Sequence, residues 1–179
     1  SAISGSPFCP GAAVSVPFTS SGVFTSNTYT AQLSTAAGSF TGATTIGILV
    51  SNANSGTING FIDAGAIAGL LYRIRVISSN SNVLSFDNNT NLTVNANPAV
   101  SGPTAVCVGG TTTVTPTFGG TWGSSDNGIA TVTDAGEVNG VLAGNATLTF
   151  TSTATGCTNT VALTVNGNAT LGLTSIGGT

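Results

Sequence analysis

Wherever the apolar residues of this chain keep a period, that period is two. Tyr72, Ile74 and Val76 alternate with Arg73, Arg75 and Ile77, and Leu148 and Phe150 alternate with Thr147, Thr149 and Thr151. Val161, Leu163 and Val165 alternate in the same way with Ala162, Thr164 and Asn166. Residues two apart share one face of a strand, whereas a helix would repeat near 3.6. Further strands are predicted at roughly 12–18, 22–34, 44–50, 56–62, 111–118, 129–133 and 136–141. Turn residues separate them: Asn54-Ser55-Gly56, Asp126-Asn127-Gly128, Ala135-Gly136 and Ala143-Gly144. One helical turn is conceivable at 64–68, but Gly65 and Gly69 weigh against it. Many short strands with regular turn signals define an all-β chain of the sandwich type.

An internal echo divides the sequence. Ala2-Ile3-Ser4-Gly5 leads to Cys9 and then Val14-Ser15-Val16-Pro17-Phe18. Ala99-Val100-Ser101-Gly102 leads to Cys107 and then Thr113-Val114-Thr115-Pro116 and Phe118. Both stretches close alike, on Leu92-Thr93-Val94-Asn95 and Leu163-Thr164-Val165-Asn166. Repetition on this scale indicates tandem modules, here 1–95 and 96–166, followed by a tail at 167–179. The tail alternates Leu171 and Leu173 with small and polar residues, with Ile176 beyond. It reads as a linker, as the opening of a further module, or as a strand added to a neighbour's sheet edge.

Composition then removes whole classes of function. The 179 residues include two arginines and five acids, no lysine, no histidine and no methionine. Charged residues make up 4%, against about 25% in an average soluble domain. Disorder is not the explanation, because the chain is 40% hydrophobic and disorder requires low hydrophobicity with high net charge. Two arginines cannot neutralise a phosphate backbone, so nucleic acid is excluded as a partner. No apolar run approaches the ~20 residues of a membrane helix, so membrane insertion is not expected. The absence of an initiator methionine and of an apolar leader points to a processed or excised chain. With a net charge of −3, little repulsion keeps copies apart, which suits a stalk, a glycosylated surface protein or a packed assembly.

Catalytic chemistry has few places to reside. Without histidine or lysine, a serine or cysteine nucleophile lacks its usual base. Three scattered cysteines without histidine have no zinc spacing, and no metal site or cofactor is expected. Asp134 and Glu137 are the one close acidic pair and flank the Ala135-Gly136 turn. Asp126-Asn127-Gly128 and Asp87-Asn88-Asn89 resemble fragments of calcium loops. Calcium needs six to eight oxygen ligands, and Asx turns explain these segments better. Trp122 reads as a core tryptophan rather than a sugar platform. Sequons at Asn88, Asn91, Asn145 and Asn168 matter only in a host that glycosylates them.

Three features remain as candidate contacts. Arg73 and Arg75 lie two apart on one strand and share a face, either as a solvated surface paired with carboxylates or as a partner or anion contact. Cys107 and Cys157 fall near the start of the first and last strands of the second module. Terminal strands of a sandwich are often neighbours, so a disulfide there would staple them; the alternative is two buried free thiols. Closing that loop would stabilise by about 4 kcal/mol in the chain-entropy treatment. Cys9 has no partner in its own module and reads as a free thiol or an intermolecular bridge. A disulfide fits an oxidising setting, hence a secreted, extracellular or cell-surface location.

The second module carries ordered motifs: Trp122-Gly123-Ser124-Ser125-Asp126-Asn127-Gly128-Ile129-Ala130-Thr131-Val132, then Gly136-Glu137-Val138-Asn139-Gly140-Val141, then Gly144-Asn145-Ala146-Thr147-Leu148-Thr149-Phe150. Over 97–166 the chain resembles the bacterial Ig-like group 2 family, and the first module looks like a companion. The resemblance implies two tandem Ig-like β-sandwiches of the kind found in large secreted surface proteins of Bacteroidetes-type bacteria. It implies a stalk, adhesin or filament role without enzymology, and partners that are other copies of the chain or further modules of one surface protein. Such arrays run to many modules; this chain has two and a tail. The competing readings are a carbohydrate-binding accessory module, with a glycan or cell-surface ligand, and a threonine-faced ice or mineral binder.

Overall fold

The computed structural model describes residues 3–80 and 86–169. The chain divides into two compact units, Ser1–Asn97 and Pro98–Thr179. Both are all-β, each with short sheets packed on a core of its own, and no helix occurs among the described residues.

The first unit holds β1 (Ala13–Thr19), β2 (Thr28–Leu33), β3 (Thr44–Val50), β4 (Ser55–Phe61), β5 (Gly69–Tyr72), β6 (Ile74–Ser78) and β7 (Leu92–Val94). β1 pairs with β4, β2 lies between β3 and β6, and β5 pairs with β7, all antiparallel. Alternation places Val14, Val16 and Phe18 of β1 and Tyr29, Ala31 and Leu33 of β2 inside. Ile58, Tyr72, Ile74, Leu92 and Val94 complete that core. Burying a side chain of this size contributes roughly 1.5–3 kcal/mol. At one margin β3 and β4 run so close that both must present glycine. A Cβ at Gly60 would collide with the Ile46 carbonyl, and one at Gly47 would come within 2.9 Å of Ile58. That margin of the sandwich is shut.

The second unit holds β8 (Ala105–Cys107), β9 (Thr111–Thr113), β10 (Gly120–Ser124), β11 (Ala130–Val132), β12 (Glu137–Gly140), β13 (Gly144–Ser152) and β14 (Thr158–Asn166). One sheet runs β10-β13-β14-β8 and the other β11-β12-β9. Ala146, Leu148 and Phe150 of β13 meet Leu163 and Val165 of β14, Val138 of β12, and Trp122. The Trp122 and Phe150 rings are 5.2 Å apart and tilted by 59°, and the indole N–H donates to the Pro116 carbonyl at 2.8 Å. Trp122 is a satisfied core residue.

Two expected strands are shorter in the structure. The stretch expected at 22–34 forms a strand only from Thr28. Before it, fully buried Asn27 turns its polar groups to three loops. Its Oδ1 accepts from Ser78 Oγ at 2.7 Å and from the Asn80 N–H at 3.0 Å. Its own N–H donates to Asn52 Oδ1 at 3.0 Å. The stretch expected at 111–118 leaves the sheet after Thr113, and Thr115 pairs instead with Ser101, accepting at 3.2 Å and donating at 2.8 Å. Of the tail, 170–179 lies outside the described residues.

Candidate functional site

Opposite the shut margin, the first sandwich is open. Two backbone bonds fix how β1 is used. The Ile62 N–H donates to the Ala12 carbonyl at 2.8 Å, and the Ser20 N–H donates to the Asn54 carbonyl at 2.7 Å. Bonded pairs alternate along an antiparallel ladder. Val14, Val16 and Phe18 therefore bond to β4, while Ala13, Ser15, Pro17 and Thr19 turn their backbone groups outward. No strand pairs with this outer edge among the described residues. Pro17 has no N–H to offer there, a common way to blunt an exposed edge.

Between that edge and β6 lies a groove of about 370 Å³. Its apolar wall comprises Val16, Phe18, Phe24, Tyr29 and Ile74, and Ile3 closes one part of it. The rings are mutually packed: Phe18 and Tyr29 are 4.2 Å apart, and Phe24 meets Tyr29 edge-on at 5.8 Å. The Tyr29 hydroxyl donates to the Ala53 carbonyl at 3.0 Å and sits 2.8 Å from Ser20 Oγ. Phe86 stands at the rim, 99% exposed. A volume of this order accommodates side chains or a small ligand. Arg75 and Asp87 also line it, the first held by Gln32 and the Phe40 ring and the second by Arg73.

The predicted site residues fall as follows. Arg73 Nη1 meets Asp87 at 3.3 Å and its Nε donates to Asn91 Oδ1 at 3.2 Å. Arg75 Nε donates to Gln32 Oε1 at 2.8 Å, and its guanidinium lies 4.4 Å from the Phe40 ring centroid. Both cations are thus engaged within their own unit, one by a carboxylate and one by an amide and an aromatic face.

The cysteines differ from the expected arrangement. Cys107 is a free, exposed thiol, whereas Cys9 and Cys157 are each disulfide-bonded. The predicted Cys107–Cys157 bridge fails for a geometric reason. β8 and β14 are neighbours, but parallel, with Cys107 beside Asn166 at the far end of β14. Cys157 precedes the first residue of that nine-residue strand, about 30 Å away at ~3.3 Å per residue. A disulfide needs Cα atoms within roughly 7 Å. Cys9, expected as a free or intermolecular cysteine, is bonded instead.

Three of the acids serve turns. Asp126 Oδ1 accepts from the Gly128 N–H at 2.8 Å, Asp87 Oδ1 from the Asn89 N–H at 2.7 Å, and Asp63 Oδ1 from the Gly65 N–H at 2.9 Å. Asp134 Oδ1 accepts from the Trp122 N–H at 3.1 Å. Burial, followed by the nearby Asp63 charge, pushes the Tyr72 phenol above its ordinary value. Among the described residues no group of three or more acids and cysteines is placed to hold a metal. The groove itself was missed from sequence. Its only sequence signals were Pro17 within a strand and the aromatic trio Phe18, Phe24 and Tyr29.

No protein-family model matches the chain, so the likeness to the bacterial Ig-like group 2 family stands as a resemblance. No curated protein matches it either. Among solved structures it is similar to the C-terminal 282-residue fragment of intimin in complex with the translocated intimin receptor's intimin-binding domain. That match has 15% identity and a TM-score of 0.40, covering 93% of this chain and 65% of the other. It is also similar to surface layer protein SbsC, domains 1–6, at 19% identity and a TM-score of 0.29, covering 79% and 20% respectively. A third is the SGBP-B protein of the Bacteroides ovatus mixed-linkage glucan utilization locus with a heptasaccharide. It has 14% identity and a TM-score of 0.25, covering 89% of this chain and 43% of that one.

Proposed function

We propose that this chain is a non-catalytic building block, structural or adhesive, of an extracellular bacterial surface protein or filament. The modules at 1–95 and 96–166 are its repeating element. The observation that carries this reading is how the few charged groups are used. Asp63, Asp87 and Asp126 hold backbone turns, Asp134 ties its loop to the Trp122 N–H of β10, and Arg73 and Arg75 brace their own unit. What remains is a set of uncharged strands and sheet edges, which suits packing against other protein and not bond-breaking chemistry. The aromatic residues best suited to stacking on sugars, Trp122, Tyr29 and Tyr72, are all buried, which disfavours the carbohydrate-binding alternative.

Immunogold electron microscopy of the native material tests the proposal. Label along fibres, stalks or a surface layer supports it, and label confined to the cell interior refutes it. A glycan array read in parallel would favour the carbohydrate-binding module if a defined oligosaccharide is retained.

A further inference from the structure

Both modules begin with the same Ala-apolar-Ser-Gly segment, but it is used differently in each. In the second unit Ser101 pairs with Thr115 through backbone bonds in both directions, at 3.2 and 2.8 Å. In the first unit no such bridge joins the opening segment to β1 among the described residues. The outward edge of β1 at Ala13, Ser15 and Thr19 has no partner strand among the described residues, and Thr19 and Ile3 line the groove. The opposite margin is shut by Gly47 against Gly60. Among the described residues no strand pairs with the outer side of β1.

The chain carries a segment suited to that place. β14 ends at Asn166 with both its edges occupied, by β13 and by β8. Beyond it, Thr170-Leu171-Gly172-Leu173-Thr174 repeats strand alternation, uncharged, with two leucines on one face. Fully extended, 167–179 spans at most about 45 Å, long enough to reach a neighbouring molecule. We infer that residues 170–176 of a second copy add as a strand to the outer edge of β1, placing Leu171 and Leu173 in the groove against Val16, Phe18, Phe24 and Ile74. The missing N–H of Pro17 removes one ladder bond from any incoming strand. Backbone pairing alone is therefore a poor driver, and the buried leucines supply the selectivity. Repeated head to tail, the contact is heterologous and generates an open chain of subunits. This rests on the building-block reading and specifies the contact.

The test compares three proteins by light scattering and amide hydrogen exchange at micromolar concentration: the full chain, a chain ending at Ala169, and the double substitution Leu171→Asp, Leu173→Asp. The full chain is expected to form oligomers, with the Ala13, Ser15 and Thr19 amides protected at least ~10-fold more than in the other two. The other two are expected to be folded monomers. A synthetic 167–179 peptide should restore protection to the shortened chain, and a peptide with both leucines replaced by Asp should not. Oligomers that survive loss of the tail overturn the inference. So does a monomeric full chain, including one whose own tail protects those amides. Each of these results leaves surface labelling in the native material unaffected, so the two proposals fail separately.

Discussion

The two units solve the same packing problem to different degrees. In the second, the long strands β13 and β14 run side by side for their full length and are flanked by β10 and β8. The rings of Trp122 and Phe150 sit in the middle of that core. In the first, the corresponding sheet is the two-stranded pair β1-β4, and the aromatic cluster of Phe18, Phe24 and Tyr29 gathers at an open margin. A ring with protein on all sides loses all its contacts when truncated, and the cavity adds to the cost. A ring that borders a groove loses less, because it has fewer packed neighbours on that side. Both units have an apolar core; the first adds the Asn27 polar pin and close glycine contacts at its margins.

The sharpest way to break this contrast is to empty each core in turn. Phe150→Ala should destabilise the second unit by about 3–5 kcal/mol. Phe18→Ala, beside the groove, should cost the first unit roughly half of that. Calorimetry of both variants, with each transition assigned by hydrogen exchange, checks the ordering. Equal losses would mean that the groove is effectively closed.

Next in size is the polar pin. Asn27→Ala leaves Ser78 Oγ, Ser79 Oγ and the Asn80 N–H without their acceptor and removes the amide donor to the Ser51 carbonyl, while the backbone bond to Asn52 stays. Unsatisfied buried groups cost about 1–3 kcal/mol. The first unit should lose roughly that much, and hydrogen exchange should rise in the loops at 25–27, 51–54 and 78–80 together. A loss limited to one loop would show that Asn27 is not their common anchor.

Much of this architecture could be read from the residues, and what escaped has a definite physical cause. Alternation located the inward faces of β1, β2, β6, β13 and β14, because burial acts on each residue through its own side chain. The adjacency of the strands bearing Cys107 and following Cys157 was also readable. Their relative direction was not, since parallel and antiparallel neighbours leave the same alternating pattern, and direction decided whether the thiols could meet. The strand expected from 22 failed at Asn27, where a fully buried side chain is polar and apolar alternation carries no information. The groove beside β1 lies where no partner strand occurs among the described residues. No residue encodes an absence directly, and Pro17 only marks the edge.

A smaller effect separates the units by pH. Both tyrosines lie in the first unit, and the folded state holds the Tyr72 phenol above its ordinary value through burial and the Asp63 charge. A raised folded value means that the neutral phenol is preferred in the folded form. Its contribution is complete below the unfolded value near 10 and declines as pH rises through the folded one. The first unit should therefore melt progressively earlier above about pH 10, and Tyr72→Phe should flatten that decline. An unchanged slope in Tyr72→Phe would assign the alkaline sensitivity to another group.

The smallest expected effect is the most informative about the arginines. Arg73 and Asp87 form an ion pair at 3.3 Å with both side chains partly exposed, 32% and 22%. Pairs of this kind contribute about 0.2–1 kcal/mol, less in high salt. Asp87 also accepts the Asn89 N–H, and Asn88, next to it, accepts the Ile74 N–H at 2.9 Å, so the pair is one of several ties holding 86–88 to β6. Arg73→Gln should then lower the first transition by under ~1 kcal/mol, with most of the loss vanishing in molar salt and none in the second unit. Arg75→Gln removes a cation–π contact as well as a hydrogen bond, and its loss should persist in salt. If Arg73→Gln instead abolishes binding to a partner while stability holds, Arg73 belongs to a recognition surface rather than to the tie between β6 and 86–88.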